Sequence, residues 1–405
     1  MIILLKILAI VFALLVLLKF KVDLGLILVL DTILTGVLFG MPVPAFLREA
    51  GAAVIAPETL ALVGIVVLVV YLGNFLHAAG HFREMVAALK KYIRDSRLIL
   101  AIPSSFIGLL PMMGGAMMGA PIVEEAARKW NLTAAWKTFL NYWFRHVWEY
   151  CWPMYVNLIL AASIAGIPIG KVSLHQLPFT VIAIAAGLVI LFRHIPYERN
   201  EEAGSLKIRD FIQTFISIWP IFLTIILIFA FGVPMLAALA AACVISGLLV
   251  RMPVREVWAV VRKSFSPRMV ILTFAVMVFK RILETSGALD AVMTIISPTG
   301  VSGIILLFAA PFLIGFLTGV NQAFAGIAFP LLVPIFGKEH PDIVLFMFAY
   351  VSGFVGILLS PAHLCLALTA EYFKADLRDV YKILIAPVSV IFAAALLVLI
   401  VFRLL

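Results

Sequence analysis

Long segments without a charged residue constrain this chain more than any other feature of its sequence. Forty consecutive uncharged residues lie between Asp210 and Arg251, and forty-seven lie between Asp290 and Lys338. About 20 apolar residues span a bilayer, so both segments exceed the length of one membrane-spanning helix. Hydrophobic residues make up 64% of the chain and charged residues 13%, whereas soluble domains contain about 45–50% and 25%. The sequence therefore predicts an all-helical polytopic protein of the lipid bilayer.

Apolar stretches, glycines and prolines divide the chain into predicted spans and two re-entrant hairpins. The predicted spans are 2–18, 24–43, 59–79, 136–164, 176–193, 212–232, 234–250, 269–286, 343–370 and 383–402. The hairpins are predicted at 99–123 and 303–336, where a glycine-bearing tip interrupts an apolar run. Exposed backbone at membrane depth is tolerated only where it lines a cavity inside the protein. The spans at 136–164 and 343–370 are predicted to be interrupted by proline.

The two halves of the chain, 1–195 and 212–405, align at an offset of 207 residues across a predicted cytoplasmic linker at 196–211. The glycines support this alignment. At this offset chance predicts about one pair of matching glycines, and five pairs occur. The pairs are Gly25/Gly232, Gly40/Gly247, Gly80/Gly287, Gly108/Gly315 and Gly119/Gly326. Each half contains five predicted crossings and one hairpin. An odd number of crossings inverts the second half, which is the architecture of many secondary transporters.

The distribution of cationic residues predicts the orientation. With the N-terminus outside, one face receives Lys19, Lys21, the cluster from Arg83 to Arg97 and most of the other cations. The opposite face receives Lys6, Arg48, Lys171, Lys338 and Arg403. By the positive-inside rule the crowded face is cytoplasmic and both termini lie outside the cytoplasmic membrane. The net charge of +9 is therefore a topology signal, and no nucleic-acid partner is predicted.

Irregular backbone is expected near the middle of the membrane at the two hairpin tips and the two interrupted spans. The tips are 111–121 and 318–326, and the spans break at Pro153 and at Ser360-Pro361. Helix N-termini carry partial positive charge and unpaired N–H donors, so converging ends predict an anion site. The alternative is that each proline only kinks a packed span. The predicted substrate-binding residues are Gly114, Gly115, Ala116, Arg145, Asn321, Gln322, Ser360 and His363.

Arg145, His146 and Glu149 lie inside the first interrupted span, where ionisable residues are costly and usually functional. Arg145 is predicted to bind an anionic substrate, and His146 or Glu149 to carry a coupling proton. A structural alternative stays open, because Arg145 and Glu149 are four residues apart and can neutralise each other. The equivalent positions of the second half are uncharged, so the repeat itself does not require these charges.

Other ionisable groups admit two interpretations. Lys280 and Arg281 lie three or four residues from Glu284, so pairing within this cluster is available. His363 follows the Ser-Pro helix start and is expected to face the cavity, although a lone membrane histidine is often a packing residue. His146-x-x-Glu149 with Cys151 is too weak a pattern for a metal site. No metal ion, cofactor or disulfide framework is predicted, and no catalytic motif is present.

The order of spans, hairpins and interrupted spans resembles the ion transporter superfamily. The matching positions are the tips Gly114-Gly115-Ala116 and Asn321-Gln322-Ala323 and the breaks at Pro153 and Ser360-Pro361. Within that superfamily the chain is most similar to an uncharacterised prokaryotic integral membrane branch of the domain-of-unknown-function type. The resemblance implies a scaffold domain that often forms a homodimer and a transport domain that moves like an elevator. The sodium-coupled dicarboxylate branch has Ser-Asn-Thr at its tips, which this sequence lacks, so protons are favoured over sodium.

The function predicted from the sequence is secondary active transport of a small anion, an organic acid, coupled to protons, rather than enzymatic catalysis. One alternative is a cation/proton antiporter of the same architecture, in which Glu149 and Asn321 would coordinate the cation. Another is an intramembrane enzyme that acts on a lipid-linked substrate through Glu149 and His146. Chemical turnover in detergent would distinguish the enzyme, and the response to a cation would distinguish the antiporter.

Overall fold

The computed structural model describes residues 2–20, 22–79, 93–109, 115–201, 203–204, 219–249, 252–288, 301–337 and 339–404. Within these ranges every regular element is a helix, and the only β pairing is an isolated bridge between Asp95 and Arg199. In chain order the α-helices are α1 Ile2–Lys19, α2 Leu24–Leu38, α3 Val43–Ile55, α4 Pro57–Ala78, α5 Ser96–Ile99, α6 Ile102–Gly108, α7 Ala116–Ala127, α8 Ala134–His146, α9 Val156–Ala165, α10 Ile169–His194, α11 Trp219–Phe229, α12 Met235–Leu249, α13 Val254–Ser264, α14 Pro267–Thr285, α15 Val301–Thr318, α16 Asn321–Ala323, α17 Phe329–Phe336, α18 Ile343–Leu359, α19 Leu364–Phe373 and α20 Leu377–Leu404.

Four helical segments of the described part are long and apolar enough to cross a membrane. They are Pro57–Leu76, Ile169–His194, Ile343–Phe373 and Leu377–Phe402. Other predicted spans correspond to apolar helices of 10–17 residues, among them α2, α11 and α12. These helices fit a membrane protein. The predicted span 24–43 is longer than its helix, since α2 ends at Leu38 before a glycine with φ +70°.

Two surface helices were not predicted. The helix α3 lies between α2 and α4 and packs against α14, and α13 lies between α12 and α14 and packs against α4. Both begin directly after a proline N-cap, Pro42 or Pro253, which holds an extended backbone before the first turn. Each mixes charged and apolar residues, so a search for uncharged runs passes over them.

Two helices are interrupted and lie side by side in the interior. The helix α8 ends at His146, residues 147–155 form turns, and α9 begins at Val156. The helix α18 ends at Leu359, and α19 begins at Leu364 after the Ser-Pro pair. Of the four long apolar segments, the one from α18 to α19 is the most enclosed. In its apolar 18-residue stretch 83% of the residues are buried, against 33% in α10 and in α20. At these interruptions, backbone groups in the protein interior lack partners within their own helix and need other hydrogen bonds.

Each interrupted helix is accompanied by a helical hairpin. The arms α6 and α7 both pack on α8, and Gly108 approaches so closely that an added Cβ would lie 2.4 Å from the carbonyl oxygen of Arg145. The second hairpin has α15 as one arm, and its other arm runs from α16 through a π-helical turn, Phe324–Ala328, into α17. The arm α15 crosses α18 at small residues, with Gly315 against the carbonyl oxygen of Gly353.

Candidate functional site

Aromatic side chains stabilise the first interruption by donating hydrogen bonds to backbone carbonyl or hydroxyl groups. Pro153 has no N–H to continue the helix. The indole of Trp148 donates to Ser105 Oγ at 2.9 Å, and the indole of Trp152 donates to the carbonyl of Leu109 at 2.9 Å. The hydroxyl of Tyr155 donates to the carbonyl of Gly108. Residues 147–155 are thereby fixed against the end of α6.

The second interruption satisfies its free carbonyl groups with hydroxyl groups. A helix leaves its last carbonyls without internal partners. The hydroxyls of Tyr142 and Tyr381 donate to the carbonyls of Leu358 and Leu359 at 3.2 and 3.0 Å. Ser360 Oγ donates to the carbonyl of Phe316 at 2.6 Å, which ties the interruption to α15. The end of α18 is therefore stable inside the protein without its own continuation.

The tip of the second hairpin touches the start of α19. The chain turns at Gly319 and Val320, where Gly319 has φ +62°. The carbonyl of Gly319 accepts a hydrogen bond from Nδ1 of His363 at 2.7 Å. A Cβ on Gly319 would lie 2.5 Å from the backbone of Ala362 and His363. Only glycine fits this left-handed, tightly enclosed position.

Arg145 and Glu149 form a buried ion pair where these elements meet. Their closest atoms, Arg145 Nη1 and Glu149 Oε1, lie 3.6 Å apart, and the side chains are 4% and 3% exposed. Arg145 Nη1 also donates to the hydroxyl of Tyr155 at 2.7 Å. Asn321 Nδ2, from the hairpin tip, donates to Glu149 Oε2. The first interruption and a hairpin tip thus converge on one pair of opposite charges.

Two histidines from the two interrupted helices meet beside this pair. Nε2 of His146 lies 3.1 Å from Nε2 of His363, although the residues are 217 positions apart in the chain. Nε2 of His146 is also 3.7 Å from Glu149 Oε1. Both rings are buried, with 2% and 6% of the residue exposed. The last residue of α8 and the N-cap of α19 are therefore in direct contact.

A hydroxyl-amide pair fixes the backbone of Glu149. The hydroxyl of Tyr350 on α18 donates to the carbonyl of Glu149 at 2.8 Å, and Asn157 Nδ2 donates to that hydroxyl at 2.7 Å. Tyr350 also packs edge-on against Phe324, the first residue of the π-helical turn. The position of the Glu149 carboxylate therefore depends on α9, α18 and the hairpin together.

The sequence from residue 2 to residue 403 matches the model of one protein family, described as a protein of unknown function, DUF401. The match covers nearly the whole chain. The chain belongs to the DUF401 family. No curated protein matches the sequence. The interpretation of this DUF401 site therefore rests on its own geometry.

The predicted site residues of the DUF401 chain fall into two groups. Arg145, His146, Glu149, Asn321 and His363 lie together in the interior. Three others have no described contact with the ion pair: Ser360, one turn before His363; Gln322, partly exposed at the hairpin tip; and Ala116, whose carbonyl accepts from Asn141 at 2.8 Å. Gly115 is the N-cap of α7, and Gly114 lies outside the described residues.

The second charged cluster has a different arrangement from the pairing that its sequence makes available. Arg281 Nη2 contacts Glu49 Oε2 on α3 at 2.8 Å, and Glu49 also pairs with Arg48 at 3.1 Å. Within the described part, no ion pair joins Glu284 to Lys280 or Arg281. The side chain of Arg281 is 47% exposed. This cluster lies on the surface of the protein, where α3 meets α14.

Sequence reasoning missed several interior polar groups. Tyr155 binds Arg145, and Tyr350 with Asn157 holds the backbone of Glu149; none carries a charge, so no local signal distinguishes them from packing residues. Asp31 on α2 is 0% exposed, and neither of its carboxylate oxygens has a hydrogen-bond partner among the described residues. A charged residue in the middle of the predicted span 24–43 was the available signal for Asp31.

Proposed function

We propose that this DUF401 protein is a secondary active transporter that moves a small anion, an organic acid, across the cytoplasmic membrane. The observation that carries the proposal is the buried guanidinium of Arg145 at the meeting point of two helix interruptions and a hairpin tip. Interrupted helices with binding groups in the interior are the arrangement that secondary transporters use to bind a substrate near mid-membrane.

The electrostatics of the site favour an anion. Three helical segments begin there, with Tyr155, Val320 and His363 as their N-caps. Helix N-termini present partial positive charge and N–H donors. A guanidinium adds a planar fork that matches a carboxylate. Glu149 offsets only the formal charge of Arg145, so the helix ends leave the site attractive to one further negative group.

An inverted repeat is part of the proposal, and the helix positions support it. At the offset of 207 residues, α4 falls on α14, and the two surface helices α3 and α13 overlap. Gly108 and Gly315 are equivalent at this offset, and each packs against a carbonyl of the neighbouring interrupted helix, at Arg145 and at Gly353. In this proposal the hairpins and interrupted helices form a transport domain that moves like an elevator against a scaffold of the other spans, with both termini outside and a homodimer as the assembly.

Uptake into proteoliposomes tests the proposal. When an inward gradient of the coupling ion is imposed, vesicles with wild-type protein should accumulate an organic anion. Arg145→Ala should abolish this accumulation, although the variant should still elute as folded protein from a sizing column. Arg281→Ala, which removes the exposed arginine of the surface pair, is the matched control and should transport normally. Undiminished uptake by Arg145→Ala would contradict the assignment of the site.

The coupling ion needs its own comparison. We propose protons, because neither hairpin tip carries the Ser-Asn-Thr sequence of the sodium-coupled carriers that the chain resembles. Uptake should follow a pH gradient and should not respond to a sodium gradient at constant pH. The opposite result would replace the proton by sodium. The assignment of the coupling proton to His146 or Glu149 stays a prediction.

A cation/proton antiporter is the second candidate, and one contact favours it. Asn321 donates to Glu149, and the other amide atom, Asn321 Oδ1, is buried without a hydrogen-bond partner among the described residues. An amide oxygen beside a carboxylate is a suitable pair of ligands for a hard cation. Release of internal protons on addition of an alkali or alkaline-earth cation, in the absence of any organic anion, would favour this candidate.

A further inference from the structure

His146, His363 and Cys365 bring three metal-binding atoms together in the interior. The two histidine nitrogens and the sulfur all lie within 4.8 Å of one another. The three residues are 2%, 6% and 9% exposed. They come from both interruptions, since His146 ends α8 and the other two open α19. The ring nitrogens and the sulfur are therefore close enough to share a single ion.

The hydrogen bonds of the histidines fix which ring nitrogens can bind. Nδ1 of His146 lies 2.6 Å from the carbonyl of Tyr142, and Nδ1 of His363 lies 2.7 Å from the carbonyl of Gly319. A carbonyl only accepts hydrogen bonds, so each Nδ1 carries the hydrogen. In the neutral rings both Nε2 atoms then present lone pairs to each other across 3.1 Å. Facing lone pairs repel unless a positively charged species binds both.

The same pattern is typical of metal ligands. A metal-bound histidine almost always donates its second ring N–H to a carbonyl or carboxylate, which orients the ring and fixes the tautomer. For zinc–nitrogen bonds of about 2.0–2.1 Å, tetrahedral geometry requires two ligand nitrogens about 3.3 Å apart. The observed separation of 3.1 Å is close to that value. Little rearrangement is needed to place an ion between the rings.

The chemistry of the ligands selects the kind of ion. Two imidazoles and a thiolate suit Zn²⁺ and related transition metals, whereas Mg²⁺ and Ca²⁺ require oxygen ligands. Three protein ligands leave the fourth tetrahedral position open, as in zinc sites that bind a water molecule or a substrate there. We propose that His146, His363 and Cys365 bind a divalent transition metal such as Zn²⁺.

A bound metal would join the two interrupted helices across the protein interior. It would connect the end of α8 to the start of α19, and the tip glycine Gly319 would stay in place through its bond to His363. This inference is independent of transport, because it requires only the ligand geometry. It assigns His146 to a metal, whereas the sequence-based prediction assigns it to a proton.

Cobalt binding tests the proposal directly. Protein stripped with a chelator in detergent should bind one Co²⁺ per chain, with the near-ultraviolet charge-transfer band of a cobalt–thiolate bond. One equivalent of Zn²⁺ should displace the Co²⁺, and Mg²⁺ should not. Absence of stoichiometric binding would overturn the proposal and would favour a single proton shared between the two rings.

Matched variants locate the site. Cys365→Ser should lose the charge-transfer band, and Cys243→Ser should retain it, because Cys243 is similarly buried at 7% exposure but lies on α12. His363→Gln should weaken binding by more than the roughly 10- to 100-fold typical of losing an outer hydrogen-bond partner. A band that persists in Cys365→Ser would overturn the assignment. Serine is close to cysteine in size, so this variant stays informative if His363→Gln does not fold.

Metal binding and transport can fail separately. Loss of cobalt binding with normal anion uptake would remove the metal site and leave the proposed transporter intact. Normal cobalt binding with no uptake of any anion would contradict the proposed transporter and leave the metal site intact.

Discussion

Two charged clusters of this protein look alike in the sequence, but their arginines form ion pairs in different surroundings. Arg145 and Glu149 are 3.6 Å apart, with side chains 4% and 3% exposed. Arg281 and Glu49 are closer, at 2.8 Å, but the arginine side chain is 47% exposed. The shorter pair is the weaker determinant of stability, since water screens exposed charges, whereas a buried charge that loses its partner cannot be solvated.

Burial, more than distance, distinguishes the interior cluster from the surface cluster. In the sequence both clusters place cations three or four residues from a glutamate. In the structure one cluster connects two interrupted helices and a hairpin, and the other connects the surface helix α3 to the exposed side of α14. The predictions below alter one region and use the other as the control.

The largest expected effect is on stability when Glu149 is removed. Arg145 keeps its charge at physiological pH, so Glu149→Ala leaves a buried cation without compensation. We expect a loss of about 3–5 kcal/mol in the free energy of unfolding, measured by denaturant unfolding in detergent. Glu284→Ala, at a partly exposed position of α14, should leave the unfolding midpoint unchanged. Equal stability of Glu149→Ala and wild type would contradict the importance of burial.

A double substitution separates a structural pair from a binding pair. Replacing a buried ion pair by apolar residues of similar volume is often neutral for stability. Arg145→Met combined with Glu149→Leu should therefore recover most of the stability lost in Glu149→Ala, and anion uptake should stay absent. Recovery of uptake would show that the pair has only a structural role.

The next largest effect is the loss of stability expected when alanine replaces the glycine at the hairpin tip, compared with the same change on α3. Gly319→Ala places a Cβ 2.5 Å from the backbone of α19, at a residue with φ +62°. Backbone strain of this kind costs about 1–3 kcal/mol before the steric clash is included. Gly51→Ala on α3 meets nothing within 4 Å and should be neutral or slightly stabilising, since alanine favours a helix interior. Similar melting temperatures for both variants would argue against the contact between the hairpin tip and α19.

The smallest effect concerns the surface pair. The hydrogen bond from Arg281 holds the pKa of Glu49 below its ordinary value, with further help from Arg48. A carboxyl group with a lowered pKa in the folded state stabilises the protein above its ordinary pKa, and this contribution is lost as the pH falls through the lowered value. Arg281→Ala should raise the pKa of Glu49 and lower the melting temperature slightly at neutral pH. The difference should vanish in acid, and a difference that persists there would contradict this origin.

Local sequence signals predicted the helix interruptions and the buried charges. Proline removes a backbone donor wherever it occurs, so Pro153 and Ser360-Pro361 mark the breaks without knowledge of the fold. Arg145 and Glu149 stand out because charges in long apolar runs are rare. The turn at Gly319 follows from the polar, glycine-bearing tip within a long apolar segment.

The contacts between distant segments could not be predicted in the same way. His146 and His363 meet across 217 positions, and nothing near either residue indicates the other. In the sequence, Cys365 cannot be distinguished from the other apolar residues of a membrane helix. Only the structure places it beside the two histidine rings. The helices α3 and α13 were missed because a search for uncharged runs does not detect amphipathic surface helices.

Anion-dependent stabilisation tests the central claim that Arg145 is the core of a binding site. A ligand at about 100 times its dissociation constant stabilises the folded state by about 2.7 kcal/mol. Thermal unfolding of wild type, Arg145→Ala and Arg281→Ala should therefore be compared with and without a panel of organic anions. We predict a shift with one class of anion in wild type and Arg281→Ala, and none in Arg145→Ala. An equal shift in all three proteins would contradict the account.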